Sequence, residues 1–123
     1  MAAPNLISPT TINGKSVTVN LTTTSATSVL SNAASSGKVF KVNALYVANT
    51  TGTAASITIN QYSAAALGGT AYPIASAISV PANATLVVID KDAYVYLEEN
   101  TSLGATAGTS SALQIVCSYE DIS

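Results

Sequence analysis

The sequence predicts an all-β fold, an antiparallel β-sandwich of roughly seven or eight strands, jelly-roll or immunoglobulin-like in connectivity. Three observations predict it. Apolar and polar residues alternate with the period of two that a half-buried strand requires. Clusters of glycine, asparagine, proline and serine interrupt these runs at short intervals. No amphipathic stretch of helix length lies between them, which excludes βαβ units. Periodicity does not separate a jelly roll from an immunoglobulin-type Greek key, so both stay open.

Taken in order, residues 1–14 read as an extended N-terminal arm, punctuated by Pro4, Pro9 and Asn13-Gly14, and residues 15–123 as the β-sandwich domain. Leu6 and Ile7 are the apolar part of the arm, laid on a neighbour or opening the first edge strand. Alternation begins at Lys15, with Val17, Val19 and Leu21 pointing one way and Ser16, Thr18 and Asn20 the other. Residues 26–31 form a shorter strand around Val29-Leu30, and Asn32–Gly37 read as a loop. The longest run, residues 38–48, places Phe40, Val42, Ala44 and Tyr46 on a predicted core face. Val39, Lys41, Asn43, Leu45 and Val47 take the other face, which turns apolar toward its end. Asn49–Gly52 close this strand as a turn.

Residues 54–62 alternate again, Ile57 and Ile59 against Ser56, Thr58 and Asn60. Parity puts Tyr62 with the polar set, as a surface aromatic or as the mark of a bulge. Ser63–Gly69 read as a loop, because so short an alanine run does not nucleate a helix. Residues 71–80 form a strand that Pro81-Ala82-Asn83 turns into the next, around Leu86–Ile89. A charged tip, Asp90-Lys91-Asp92, leads to Tyr94–Leu97, and Asn100 is expected in the left-handed region. From Leu103 through Gly104 and Gly108 the chain reads as loop-rich. Leu113, Ile115, Cys117 and Tyr119 then form the apolar face of the last strand.

Composition narrows function by what is missing. The 123 residues contain no histidine, and charged residues make up 8%, against about 25% in an ordinary domain. A net charge of −2 and a pI near 4.6 draw the chain neither to nucleic acid nor to an anionic membrane. No signal peptide or apolar run of membrane-spanning length is visible. The single cysteine cannot form an internal disulfide. A surface so poor in charge is hydrated by hydroxyl and amide groups or covered by other protein, and the second reading implies a homo-oligomer or a larger assembly.

The candidate sites are correspondingly thin. Asp90, Asp92, Glu98 and Glu99 are the densest acids, but hard cations need about six to eight converging oxygens. The two acidic turns flank one strand and so fall near its opposite ends. Paired carboxylates of a glycosidase fail on the same ground. Cys117, on an apolar face, reads as a buried inert thiol, and without histidine neither it nor any serine has its usual base. The Asn20, Asn49 and Asn83 glycosylation patterns carry no weight in a threonine-rich chain lacking a visible secretory signal. Tyr62 and Tyr72, with Leu6 and Ile7, are the candidate interface residues. Tyr94, Tyr96 and Tyr119 are further anchor candidates, although Tyr94 and Tyr96 share a face and a core aromatic pair is the rival, favoured reading. No catalytic residue, metal or cofactor is expected.

Four blocks, MAAPNLI…TTINGKS, SNAASSGKVFKVNALYVAN, SVPANATLVVIDKDAYVYLEENTSL and CSYEDIS, span nearly the whole chain. In these blocks it resembles small virion structural proteins of tailed phages, especially those of marine cyanobacteria. The resemblance implies a non-enzymatic β-sandwich present in many copies on the virion, as a capsid decoration or cement protein. Its partners would be the major capsid protein or other virion proteins, after synthesis in the host cytoplasm. The alternative is a tail- or fibre-associated module for attachment or glycan binding, with Tyr62 and Tyr72 around a shallow groove.

Overall fold

A computed structural model describes residues 4–123. Its strands are β1 (Ile12–Leu21), β2 (Thr27–Asn32), β3 (Val39–Asn49), β4 (Ala55–Ala64), β5 (Gly68–Val80), β6 (Thr85–Ile89), β7 (Val95–Leu97), β8 (Thr101–Ala107) and β9 (Leu113–Ile122). The first sheet runs β1-β9-β3-β6, with β7 also paired to β3, and the second runs β2-β8-β4-β5. Every pairing is antiparallel. The pairs are nested: β4 with β5 inside β3 with β6, then β2 with β8, then β1 with β9. Successive pairs fall in opposite sheets, which is the winding of a jelly roll. This settles the connectivity that periodicity left open.

The core fills the space between the sheets because strand parity sends every second residue inward. Across the first sheet, Val17, Cys117, Leu45 and Ile89 lie in one register row, and Val19, Ile115 and Val47 in the next. The second sheet answers with Ile57, Ile59, Leu103, Ala105 and Val80, all buried. Phe40 and Tyr119 close one end, ring centroids 5.3 Å apart.

Several elements differ from the sequence expectation. Alternation in β3 breaks at a bulge between Val42 and Ala44. Phe40 and Val42 are core as expected, but beyond the bulge Leu45 and Val47 are inward while Tyr46 turns out to solvent. One extra residue flips every side chain after it. The loop-rich stretch after Leu103 is β8, a central strand with β2 on one side and β4 on the other. Its segment TSLGATA is buried on both faces and so shows no alternation. Gly104 is required there: a Cβ would come within 2.6 Å of Leu67 Cδ2 and 2.9 Å of Tyr62 Cε1.

Those two contacts also explain the Ser63–Gly69 segment. Strands β4 and β5 extend into it, leaving a three-residue turn that folds over the outer face of the second sheet. The backbone N–H groups of Ala65, Ala66 and Leu67 donate to Asn100 Oδ1, Ser31 Oγ and Ser102 Oγ, at 3.1, 2.9 and 3.0 Å. Ala66 and Leu67 hold positive φ values of 56° and 60°, unfavourable for side-chain-bearing residues; the three acceptors fix that conformation. Asn83 and Asn100 also take positive φ, 56° and 58°, and Asn100 does so as the sequence predicted.

At the N-terminus, β1 begins at Ile12, three residues before the expected onset, so Asn13-Gly14 pair with Asp121 and Glu120 within the sheet. The described part of the arm is not simply extended. Ser8 N–H bonds Asn5 O at 3.2 Å and Ile7 N–H bonds Asn5 Oδ1 at 2.9 Å, forming a turn. The expectation for residues 1–3 lies outside the described residues.

Two buried asparagines tie the sheets together. Asn49, expected in a turn, ends β3 and donates through Nδ2 to Thr53 O and to Val80 O of the second sheet, at 2.9 and 3.0 Å. Asn32, also expected in a loop, ends β2 and donates to Lys38 O and to Leu97 O of the first sheet, at 2.9 and 3.0 Å. Each sits where a strand leaves its sheet and backbone carbonyls need partners.

Candidate functional site

The predicted interface residues do not gather in one place. Leu6 is exposed and Ile7 is 93% exposed, both on the N-terminal turn beside β1. Tyr72 is 59% exposed on β5, whereas Tyr62 is half-buried, its ring edge close over Gly104. Register pairs Tyr72 with Gln61 and Tyr62 with Ala71. Cross-strand partners share a face, so the two tyrosines point to opposite sides of the sheet. They form no common groove.

Two surface features stand out instead. The first lies where the edges of the two sheets meet, between β5 and β6. Ile74, Ala75, Ile78, Leu86 and Val88 line a groove of about 380 Å³ there, with Ile74 and Ile78 exposed. Strand order places β1 and β2 on the opposite lateral side of the sandwich. The N-terminal arm leaves from that opposite side, fastened by paired backbone bonds between Thr11 and Ser123 at 2.9 and 2.8 Å. An exposed apolar arm and an exposed apolar groove therefore sit on opposite flanks.

The second feature is a hollow of about 630 Å³ on the outer face of the first sheet. It arises because β6 ends at Ile89 and the chain leaves the sheet before returning as β7. The excursion is a single 3₁₀ turn, Lys91–Ala93. Asp90 caps that turn, Oδ1 accepting the N–H groups of Asp92 and Ala93, both at 3.0 Å. Tyr94 and Tyr96, for which a core pair was the favoured of two readings, lie outside beside the hollow as an edge-to-face pair with centroids 5.4 Å apart. Parity explains the reversal, since Val95 and Leu97 supply the inward face of β7. Lys41 Nζ stands 4.5 Å from the centre of the Tyr94 ring.

The acids of the Asp90 and Glu98 turns do not converge. Asp90 is occupied as a cap and Glu99 Oε2 accepts Gly37 N–H at 3.2 Å. Among the described residues no group of three or more His, Cys, Asp or Glu side chains could hold a metal ion. Sequence reasoning passed over Asp121, which lies within β9. Its carboxylate is 5% exposed and accepts from Lys15 Nζ at 2.8 Å and Lys38 Nζ at 3.4 Å. Burial pushes its pKa up, but the Lys15 hydrogen bond and the charges of Lys38 and Lys15 outweigh that and hold it below the ordinary 3.8. No local pattern marks the site, because its three residues are brought together by β1, β9 and the β2–β3 loop.

Cys117 is buried, as expected, and burial pushes its thiol up to about 12. At that value it is protonated and unreactive at neutral pH.

No family model matches the chain, and no curated protein matches it. In fold it is similar to a chain from a solved structure described as "Bacillus endospore appendages form a novel family of disulfide-linked pili". The TM-score is 0.52 at 18% identity, over 92% of this chain and 88% of that one. The likeness is one of fold. The single cysteine of these 123 residues is buried, so they offer no exposed thiol for a link between copies.

Proposed function

We propose that the chain is a non-enzymatic building block of a many-copy protein assembly, held by non-covalent contacts between neighbours. One observation carries this reading: an exposed apolar arm, Leu6-Ile7, and an exposed apolar groove at Ile74 and Ile78 lie on opposite flanks of one sandwich. The arm of one copy suits the groove of the next. Both are uncharged, in keeping with a chain whose charged content is 8%. Removing apolar surface from water contributes about 25 cal/mol per Å², before the cost of ordering the arm. Such a contact is modest alone, and repetition multiplies it.

On the four sequence blocks, the assembly is a tailed-phage virion and the chain a capsid decoration protein that stabilises the head shell, with the major capsid protein as partner. A second reading, a tail, fibre or appendage subunit, is favoured by the fold likeness to the spore-appendage chain. Copy number per particle separates them: hundreds of copies support the head, a few dozen or fewer the tail. The arm itself is tested by deleting residues 1–9. The shortened chain should keep its β-rich circular dichroism and melting temperature but lose self-association or particle occupancy. Unchanged occupancy overturns the arm's role.

A further inference from the structure

The hollow beside β7 differs chemically from the rest of this surface. Of ten charged residues in the whole chain, Lys41, Asp90, Lys91 and Glu120 line this one concavity. They comprise two ammonium and two carboxylate groups, so the lining has no net charge. Asn43 faces the same space, and its Nδ2 donates to Glu120 Oε1 at 3.2 Å. Tyr46, 40% exposed, supplies an aromatic wall, with Tyr94 next to Lys41 at the rim.

Ligand classes can be sorted against that lining. A phosphate or other anion calls for net positive charge, and the two carboxylates oppose it. A divalent cation calls for converging oxygens, which the two lysines exclude. A purely apolar ligand would strip water from four charges without compensation. A neutral polyhydroxylated molecule meets none of these objections. Each sugar hydroxyl can both donate and accept, matching ammonium and amide donors on one side and carboxylate acceptors on the other. The C–H face of a sugar ring can lie on tyrosine, whose ring is apolar and whose hydroxyl stays wet. The volume falls within the roughly 300–1,000 Å³ of small-molecule sites.

We propose that this hollow binds a neutral saccharide, with Tyr46 as stacking platform and Asn43, Glu120 and Lys41 as hydrogen-bonding partners. The site is separate from the arm, shares only Val87 with the β5–β6 groove, and does not depend on the assembly reading. The test uses the labelled chain lacking residues 1–9 alongside the full chain, on an array of several hundred microbial and animal oligosaccharides. The strongest-binding oligosaccharide is then titrated calorimetrically. Both chains should bind the same neutral glycans. Tyr46→Ala and the near-isosteric Glu120→Gln should each weaken binding at least about tenfold with the melting temperature retained, while Tyr72→Ala leaves affinity unchanged. Raising salt from about 50 to 500 mM should alter affinity less than about twofold, since screening acts on charged ligands. No binding anywhere on the array overturns the proposal. So does a glycan whose binding survives both Tyr46→Ala and Glu120→Gln, or one that is released by salt.

Discussion

At the scale of single residues, a few buried polar side chains hold segments together in a way that local pattern undervalues. Asn32 and Asn49 look like turn formers in the sequence, yet each, from a fully or nearly fully buried position, donates one bond to the other sheet and one to a loop carbonyl. Replacing either with alanine removes both donated bonds, one of them to the opposite sheet, and should cost about 2–4 kcal/mol, read from denaturant unfolding. A loss below about 0.5 kcal/mol would mean that water replaces the amide without penalty. Asp121 contributes to the acid limb of stability. Its pKa is lowered in the folded state, so its contribution is complete above the unfolded value and disappears as pH falls through the folded one. Melting temperature should therefore drop below about pH 4, and Asp121→Asn should flatten that drop while lowering the melting temperature by a few degrees at pH 7. The loss stays small because Lys15 and Lys38 are nearly half exposed and remain hydrated when the carboxylate is removed.

At the scale of elements, strands with one wet face were legible and strands with two covered faces were not. The Val17–Leu21 and Ile57–Ile59 alternations and the Pro81–Asn83 turn stand where the sequence put them. Strand β8 escaped because a central strand under a folded-over turn has no polar face to alternate with. Its small residues are the signature of that crowding rather than of a loop. Gly104→Val should therefore destabilise by about 1–3 kcal/mol, the range for overpacking, and should loosen the Ala65–Leu67 turn, visible as faster amide exchange there. Unaltered stability would show that Leu67 swings away freely. The bulge in β3 had no sequence signal of its own. It is nevertheless what turns Tyr46 outward beside Lys41 and Asn43, which parity already placed on that face, so the aromatic wall of the candidate site was illegible for the same reason the parity reading failed.

Across the whole molecule, the jelly-roll winding decides how copies can meet. Because β1 and β2 form one flank and β5 and β6 the other, an arm-to-groove contact joins unlike surfaces. Contacts of that kind are heterologous and build rings, lattices or filaments rather than closed pairs. Ile78→Asp in the groove should reproduce the effect of deleting the arm, and the two changes combined should be no worse than either alone. Light scattering and electron microscopy of the three variants check this; additive losses would mean that arm and groove serve different contacts. Edge strand β5 carries Pro73 and several register shifts against β4, features that discourage indiscriminate sheet-to-sheet pairing. In the proposed assembly, contacts between copies would therefore run through side chains.

By itself the sequence determined the all-β class, most of the strands and the left-handed Asn100, because these follow from side-chain period and backbone sterics within a few residues. It also identified the chemical poverty that leaves an ordinary nucleophile without its base. Only the tertiary structure decided the jelly-roll winding, the central place of β8, the sheet-bridging asparagines, the Asp121 cluster and the tyrosine-rimmed hollow. Each of these joins segments far apart in the chain. Their energies come from register, bulges and burial, which appear only once the strands have found their partners.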